Sequence, residues 1–453
     1  MSRITLGQAA AWCGGFVQEK YAEVSFLGAN MDSRKIQPGE LFIALVGERD
    51  GHDYIPMAME KGAAAVLCSR ECGDIPAIIV EDPRRALGDI ARQERKRIGM
   101  QVVGVTGSVG KSTTKEMIAS VLARKYRVEK TPVNQNNDIG MPMAILSMPE
   151  DTQVAVLEMG MNHFREIAYL ASIAQPNVAV IINIGTMHIE HLGSREGILK
   201  AKMEILEGMR EDGKAIFNGD DLLLWGQRDM SHLDLSYFGE GNTEAEIRAV
   251  DVREETGYLS FRVQTDRESF PVELALEGRH FISDALAAVS VGLAMDVEPG
   301  KIQESLSQFR NMAGRQEIFT HKEYTIIKDC YNAGPESMAA ALEVLGKREG
   351  RHVAVLGDML ELGACTQAEH YRVGRIAAEK ADLLLAFGPN GPRVLSGAIT
   401  GGMSDTRAMA FEDRNKLVTV LKRMVKPGDV LLFKGSRGMR MELILEQFLK
   451  EET

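Results

Sequence analysis

Two glycines, a lysine and a serine at fixed spacing carry the clearest chemistry in this chain. The stretch GVTGSVGKST runs from Gly104 to Thr113, after the apolar run QVVGV (Gln101–Val105) and before a helical pattern. Gly107 and Gly110 let backbone N–H groups turn inward, and the new helix presents its positive end to the same point. With Thr106, Ser108 and Thr113 they form a candidate cradle for phosphate oxygens. Lys111 can reach the outer phosphates as a point charge, and Ser112 can ligate Mg²⁺ through its hydroxyl. The strict pattern wants glycine five positions before Gly110, where this chain has Val105. Strand, glycines, Lys-Ser pair and helix still agree on a phosphate loop over an ordinary glycine-rich turn.

Two further apolar runs end in polar residues. VAVLEMGMNH places Glu158 at a strand end, and open α/β sheets bind ligands outside such ends. A hard carboxylate suits Mg²⁺, although alone the residue reads equally well as a surface glutamate. INIGTMHIEHLG carries His188 and His191. Their His-x-x-His spacing lacks the metalloprotease pattern, so a metal pair and plain hydrogen-bonding histidines both stay open. Lys200 and Lys202, in GILKAKMEIL, read as the solvated face of an amphipathic helix.

The elements that must position these residues fall into three units, in line with a length of 453 residues and roughly 150 residues per domain. Residues 1–98 mix short strands and turns (PGELFIAL, AMEKGAAAVL, PAIIVED) and close on a charged helix, where the cluster Arg92–Arg97 reads as a solvated linker face. Residues 99–313 alternate strands with helices, which predicts a parallel sheet with crossover helices. From about Leu233 to Leu276 the pattern turns to strands with little helix, an antiparallel edge or a small subsheet. Residues 314–453 alternate again (YTIIKDC, HVAVLGD, ADLLLAFG, DVLLFKG) and predict a Rossmann-like sheet without the Gly-x-Gly-x-x-Gly fingerprint. The fold class is α/β: a small N-terminal unit, a central phosphate-loop sheet and a C-terminal Rossmann-like unit.

Composition narrows the functions. Hydrophobic residues are 45%, charged residues 26% and the formal net charge is −11, which argues against nucleic acid as a partner. Five scattered cysteines make no disulfide framework and suit reduced, mostly buried thiols. No signal-like segment stands out, and the longest apolar run, Ala285–Met295, is too short for a bilayer. A cytoplasmic protein with no membrane insertion is expected.

The blocks VTGSVGKST, NNDIGMP, LEMGMNH, HIEHLGS, KAKMEI, DCYNAGPESM, GDMLELG and KGSR, in this order, resemble the Mur ligase family, and the likeness runs through all three units. The resemblance implies an ATP-dependent amide-bond ligase of cell-wall precursor synthesis, working through an acyl phosphate. NNDIGMP and GDMLELG favour the branch that adds D-alanyl-D-alanine to UDP-N-acetylmuramoyl-tripeptide. The alternative is a neighbour that adds one amino acid; its diaminopimelate-adding type usually carries Asp-Asn-Pro-Arg, which is absent here. A folate-polyglutamate ligase would lack the N-terminal unit. An idle nucleotide-binding protein fits poorly with intact Lys111, Ser112, Glu158 and His188.

By the same resemblance, Ser112 and Glu158 hold one Mg²⁺ and His188 a second. Lys202 matches the lysine that related ligases carry in carbamylated form, with Lys200 the lesser candidate. Catalysis falls to Lys111, His188 and Lys202. Asp32, Ser33 and Arg34 resemble the uridine-nucleotide contact. Asn137, Asp138, Asn162 and His163 resemble the peptide side, and Lys434, Ser436 and Arg437 a dipeptide or carboxylate contact. Arg315, Asp329, Tyr331 and Asn332 resemble the third unit's share of the ATP site. The chain has HFISDALAA where the family usually has HNxxNALAA, so Phe281 and Asp284 replace two asparagines, the second of which helps hold adenine. An ionised aspartate cannot donate a hydrogen bond. Gly334 also stands where the family has Asn. A monomer is expected.

Overall fold

The computed structural model describes residues 3–450. Short strands near the start pair into a five-stranded sheet in the order Phe16–Val17, Ala77–Ile79, Ala65–Cys68, Leu41–Ile43, Ala29–Asn30. Helix α1 (Pro83–Ile98) follows. Asp82 caps it by accepting from the N–H groups of Arg84 and Arg85, proline occupies its first turn, and Gly99 ends it in the left-handed region.

The Arg92–Arg97 stretch of α1 is a solvated face only in part, at Lys96 and Arg97. Glu94 and Arg95 are buried. Arg97 pairs with Glu94 at 2.7 Å, and Arg95 donates to the Gln175 carbonyl at 2.9 Å. One apolar core runs from Leu41, Leu87 and Ile90 into Met141, Ile167 and Ile173 without a break. A second helix row therefore covers the face that sequence alone leaves open.

The central sheet has nine strands, β1 (Gln101–Thr106), β2 (Val128–Lys130), β3 (Val154–Glu158), β4 (Val178–Ile181), β5 (Lys214–Asn218), β6 (Asp234–Gly239), β7 (Ile247–Glu255), β8 (Tyr258–Gln264) and β9 (Ser269–Leu274). Their order is β9-β8-β7-β6-β5-β4-β1-β3-β2. All neighbours from β7 to β2 run parallel, and only β7-β8-β9 are antiparallel. The Leu233–Leu276 segment is thus the edge of this sheet, not a separate subsheet. Helix α2 (Lys111–Leu122) leads from β1 to β2, and β3 returns between them. The order reverses at β1, where an open α/β sheet holds its ligand. Three helices complete this part of the site: α3 (Glu166–Ala174), α4 (Arg195–Met203) and α5 (Phe281–Ala294).

The last sheet has six strands. Its parallel centre comprises β10 (Tyr324–Asp329), β11 (His352–Gly357), β12 (Val430–Lys434) and Leu383–Phe387, as the apolar runs predict. Two edge strands go beyond the prediction, Glu317–His321 and Ala408–Phe411. Helix α6 (Pro335–Gly346) follows β10. This sheet has its own cores on its two faces. The five cysteines are free thiols, two buried and three half-buried. Among the described residues no helix is long and apolar enough to cross a membrane.

Candidate active site

The ends of β1, β3 and β4 open into a cleft of about 920 Å³ that the third unit also lines. The loop after β1 is held by a residue the motif reading missed. Asn183, just past β4, accepts from the N–H groups of Ser108 and Val109 at 2.9 Å each and donates to the Val109 carbonyl. Ser108 Oγ accepts from the Gly185 N–H, and Thr106 Oγ1 donates to the Met159 carbonyl. Gly110 has φ +86°, and a Cβ there would lie 2.7 Å from Asp284 Oδ1, so only glycine fits. It brings no capping side chain to α2. The first-turn N–H groups of that helix therefore point into the cleft without intrahelical acceptors.

Lys111 folds back onto the loop and donates to the Gly107 carbonyl at 2.9 Å and to that of Ser108 at 3.3 Å. Lys202 comes from α4 and donates to the same Gly107 carbonyl at 2.9 Å. It is 2% exposed, so the solvated-face reading holds for exposed Lys200 but not for Lys202. Burial, and then the neighbouring Lys111, pull the Lys202 pKa well below the usual lysine range. Burial also lowers that of Lys111.

Ser112 Oγ is the meeting point. It donates to Glu158 Oε2 at 2.7 Å and accepts from Arg315 Nη2 at 2.8 Å. The other carboxylate oxygen of Glu158 accepts from Asn136 Nδ2 at 2.8 Å. His188 lies across the cleft in a left-handed conformation, with Nδ1 2.6 Å from Glu361 Oε2 of the third unit. Among the described residues no three His, Cys, Asp or Glu side chains cluster as a metal cage.

The third unit brings its predicted group together. The Arg315 guanidinium stacks 4.0 Å over the Tyr331 ring, and Asp329 pairs with buried Lys434 at 2.6 Å. The Asn332 carbonyl also accepts from Lys434. Glu336, which the motif reading missed, reaches back to Thr186 and accepts from its N–H and its hydroxyl at 3.0 Å each.

Asp284 is buried at the foot of the cleft and accepts from Thr114 Oγ1 at 2.6 Å. Burial raises its pKa to about 7. At neutral pH the carboxyl therefore carries a proton much of the time and can donate as an amide would.

On the opposite wall, Asn137 Oδ1 accepts from the N–H groups of Ile139 and Gly140, just ahead of the helix Gly140–Leu146. Asp138 pairs with Arg84 of α1 at 2.9 Å, and Arg84 lines the cleft. Asn162 and His163 give their backbone N–H groups to Glu166; neither is the cap of α3, which is Arg165. Six predicted substrate residues lie off this lining, His163 among them. Asp32 and Arg34 form a two-bond pair at 2.9 Å on the N-terminal unit, and Arg34 holds Asp32 down at about 2. Ser33 sits between them, against Met57. Ser436 bonds to Leu360 and Ala333, and exposed Arg437 pairs with Glu442.

Three family descriptions match this chain. "Mur ligase family, catalytic domain" matches residues 23–95, "Mur ligase middle domain" 105–292, and "Mur ligase, glutamate ligase domain" 314–437. The UDP-N-acetylmuramoyl-tripeptide–D-alanyl-D-alanine ligase of Bacillus subtilis is 37% identical, with 96% of each chain covered. Its Escherichia coli namesake is 35% identical, with 100% of each covered. A crystal structure of MurF from Acinetobacter baumannii superposes with a TM-score of 0.92 at 32% identity, all of both chains being covered. MurF ligase from Thermotoga maritima in complex with ADP gives 0.83 at 31% identity, over 94% of this chain and 97% of that one. On sequence, on fold and over its whole length, the chain belongs to the Mur ligase family.

Proposed function

We propose that this chain joins D-alanyl-D-alanine to UDP-N-acetylmuramoyl-tripeptide, converting ATP to ADP and phosphate. The observation that carries the reading is the convergence on Ser112 Oγ, where the phosphate loop, the Glu158 carboxylate and Arg315 of the third unit meet within 2.8 Å. The names of the full-length relatives and the ADP bound to one of them support the substrates.

A carboxylate resists attack by an amine until one of its oxygens becomes a good leaving group. In the proposed reaction the terminal carboxylate of the tripeptide attacks the γ-phosphorus of ATP and ADP departs. The amine of the dipeptide then attacks the acyl phosphate, and the tetrahedral adduct expels phosphate. Phosphoryl transfer is mainly positioning and charge neutralisation. Residues 106–113 wrap the phosphates with N–H groups. Lys111 swings off its loop carbonyls to offset the repulsion between carboxylate and γ-phosphate, and Arg315 adds a second cation. Asp284 lies on the adenine side, with Asp329, Tyr331 and Asn332 on the third unit's side.

The donor set fits magnesium. A hydroxyl and a carboxylate side by side are hard oxygen ligands, which suits an ion that keeps waters and phosphate oxygens. Ser112 and Glu158 would hold one Mg²⁺ and His188 a second; bound there, the ions would neutralise charge on the transferring phosphoryl group. Lys202 is a fit candidate for carbamylation. Its amine is buried beside another lysine, and both conditions favour the neutral form, the one that adds CO₂ and releases one proton. The product carbamate would place a negative charge next to Lys111. Its test is a ¹³C-bicarbonate resonance present in the wild type and absent from Lys202→Ala.

We assign the uridine nucleotide to residues 1–98 through Asp32, Ser33 and Arg34, ATP to residues 99–313, and the dipeptide to residues 314–453 through Lys434, Ser436 and Arg437. Asn137, Asp138, Asn162 and His163 face the peptide. The enzyme is read as a cytoplasmic monomer. Phosphate release decides the activity. It should require ATP, Mg²⁺, nucleotide-tripeptide and D-alanyl-D-alanine together, with product mass equal to the joined peptide. Release indifferent to the dipeptide indicates a plain ATPase, and release satisfied by one amino acid indicates the neighbouring ligase.

A further inference from the structure

Lys115 is a lysine with no access to water: it is 0% exposed. Its ammonium donates to the Thr131 carbonyl at 2.6 Å and lies 3.2 Å from Glu116 Oε1. Methionine or leucine would fill the same space without desolvating a charge. The ammonium therefore does something packing cannot.

What it holds is the end of β2. At Thr131 the backbone N–H still donates to Val156 of β3, as in the parallel ladder, at 3.1 Å. The next link is made by a side chain. The Glu158 N–H donates to Thr131 Oγ1 at 3.0 Å. Thr131 is itself 0% exposed, so its carbonyl needs a donor from within the protein, and Lys115 supplies a charge-assisted one. The same segment holds Glu158 a second time, through Asn136, whose carbonyl accepts from the Gly160 N–H and whose Nδ2 reaches Glu158 Oε1, both at 2.8 Å. Lys115 stands one turn after Ser112 on α2, so a single helix carries the hydroxyl and the clamp on the carboxylate's support.

We propose that Lys115 is a positioning residue for the metal seat. Through Thr131 it fixes the backbone of Glu158, so that the carboxylate stays aligned with Ser112. This rests on the reading of Ser112 and Glu158 as magnesium ligands. Residues behind the ligands of a metal site typically contribute about tenfold to a hundredfold in metal affinity.

The test is Mn²⁺ binding, followed by electron paramagnetic resonance on the full chain with saturating ADP, so that no turnover is involved. Lys115→Met and Thr131→Val should each weaken Mn²⁺ by about tenfold to a hundredfold. Thr131→Ser, which keeps the hydroxyl, should stay within about threefold of the wild type, and metal-free ADP binding should move by less than about twofold in all three. Unchanged Mn²⁺ affinity in Lys115→Met and Thr131→Val overturns the proposal. So does an equal loss in Thr131→Ser and Thr131→Val, or a parallel loss of metal-free ADP binding, since either marks a general packing role. If Lys115→Met does not fold, the two threonine variants decide. A wild type that binds no Mn²⁺ with ADP removes the magnesium reading itself, and the proposal with it.

Discussion

Lys111 and Lys202 aim their ammonium groups at one oxygen, the Gly107 carbonyl, at 2.9 Å each. Burial weakens the charged form of both amines, most for Lys202, which Lys111 also repels, and an anion between them restores it. Lys111→Ala should therefore lower turnover by ~10²–10³, as loss of one electrostatic stabiliser does, in a phosphate-release assay with all substrates saturating. Asp284 gives a pH-dependent prediction. Its folded pKa is raised to about 7 from an ordinary value of roughly 4. The folded state thus binds the extra proton, and stability falls as pH rises between those values, by up to ~1.4 kcal/mol per pH unit. Asp284→Asn, which restores the family residue, should melt higher than the wild type at pH 8 and gain little at pH 4; an equal gain at both rules out the titration. At this scale the motif residues were legible because strand, loop and helix are contiguous in sequence. Lys202 was legible only through the family likeness, since its burial is made by a loop 95 residues away. Asn136, Asn183 and Lys115 carried no signal, for their partners lie at or just past the ends of strands distant in sequence.

The elements that position the site follow from simple patterns. Long apolar runs gave the buried parallel strands, because both faces of each are covered. Glu317–His321 and Ala408–Phe411 escaped the reading because they are half-buried edge strands of five and four residues, too short and mixed to stand out. The burial of Glu94 and Arg95 within the Arg92–Arg97 stretch was not legible because a helix charge pattern cannot reveal a partner row from another unit. The turn between β1 and α2 is the most demanding element. Gly110→Ala should destabilise the fold by about 1–2 kcal/mol through its left-handed backbone, with a further penalty from the approach to Asp284. Urea denaturation should show this, and a nucleotide titration should show weaker ADP binding. Unchanged values in both would mean that the loop adapts freely.

At the scale of the whole molecule, the N-terminal and central units share an apolar core, whereas the third unit keeps its own. Polar links join it to the centre: Arg315 to Ser112, Glu336 to Thr186, Arg348 to Glu277 and Lys347 to Glu254. Polar contacts exchange with water at low net cost, while a shared core does not. Motion during the reaction should therefore belong to the third unit. Spin-label distances from residues 1–98 to the central sheet should stay constant on adding an ATP analogue and nucleotide-tripeptide, and distances to the third sheet should shorten or narrow; the reverse pattern contradicts this division. The hydrogen bond from Arg315 to Ser112 spans 203 residues, which has a bearing on inhibition. A compound that wedges between those two side chains would leave every fold intact and keep the reacting partners apart, and because both side chains belong to the nucleotide site it would compete with the triphosphate for a place that two units build together.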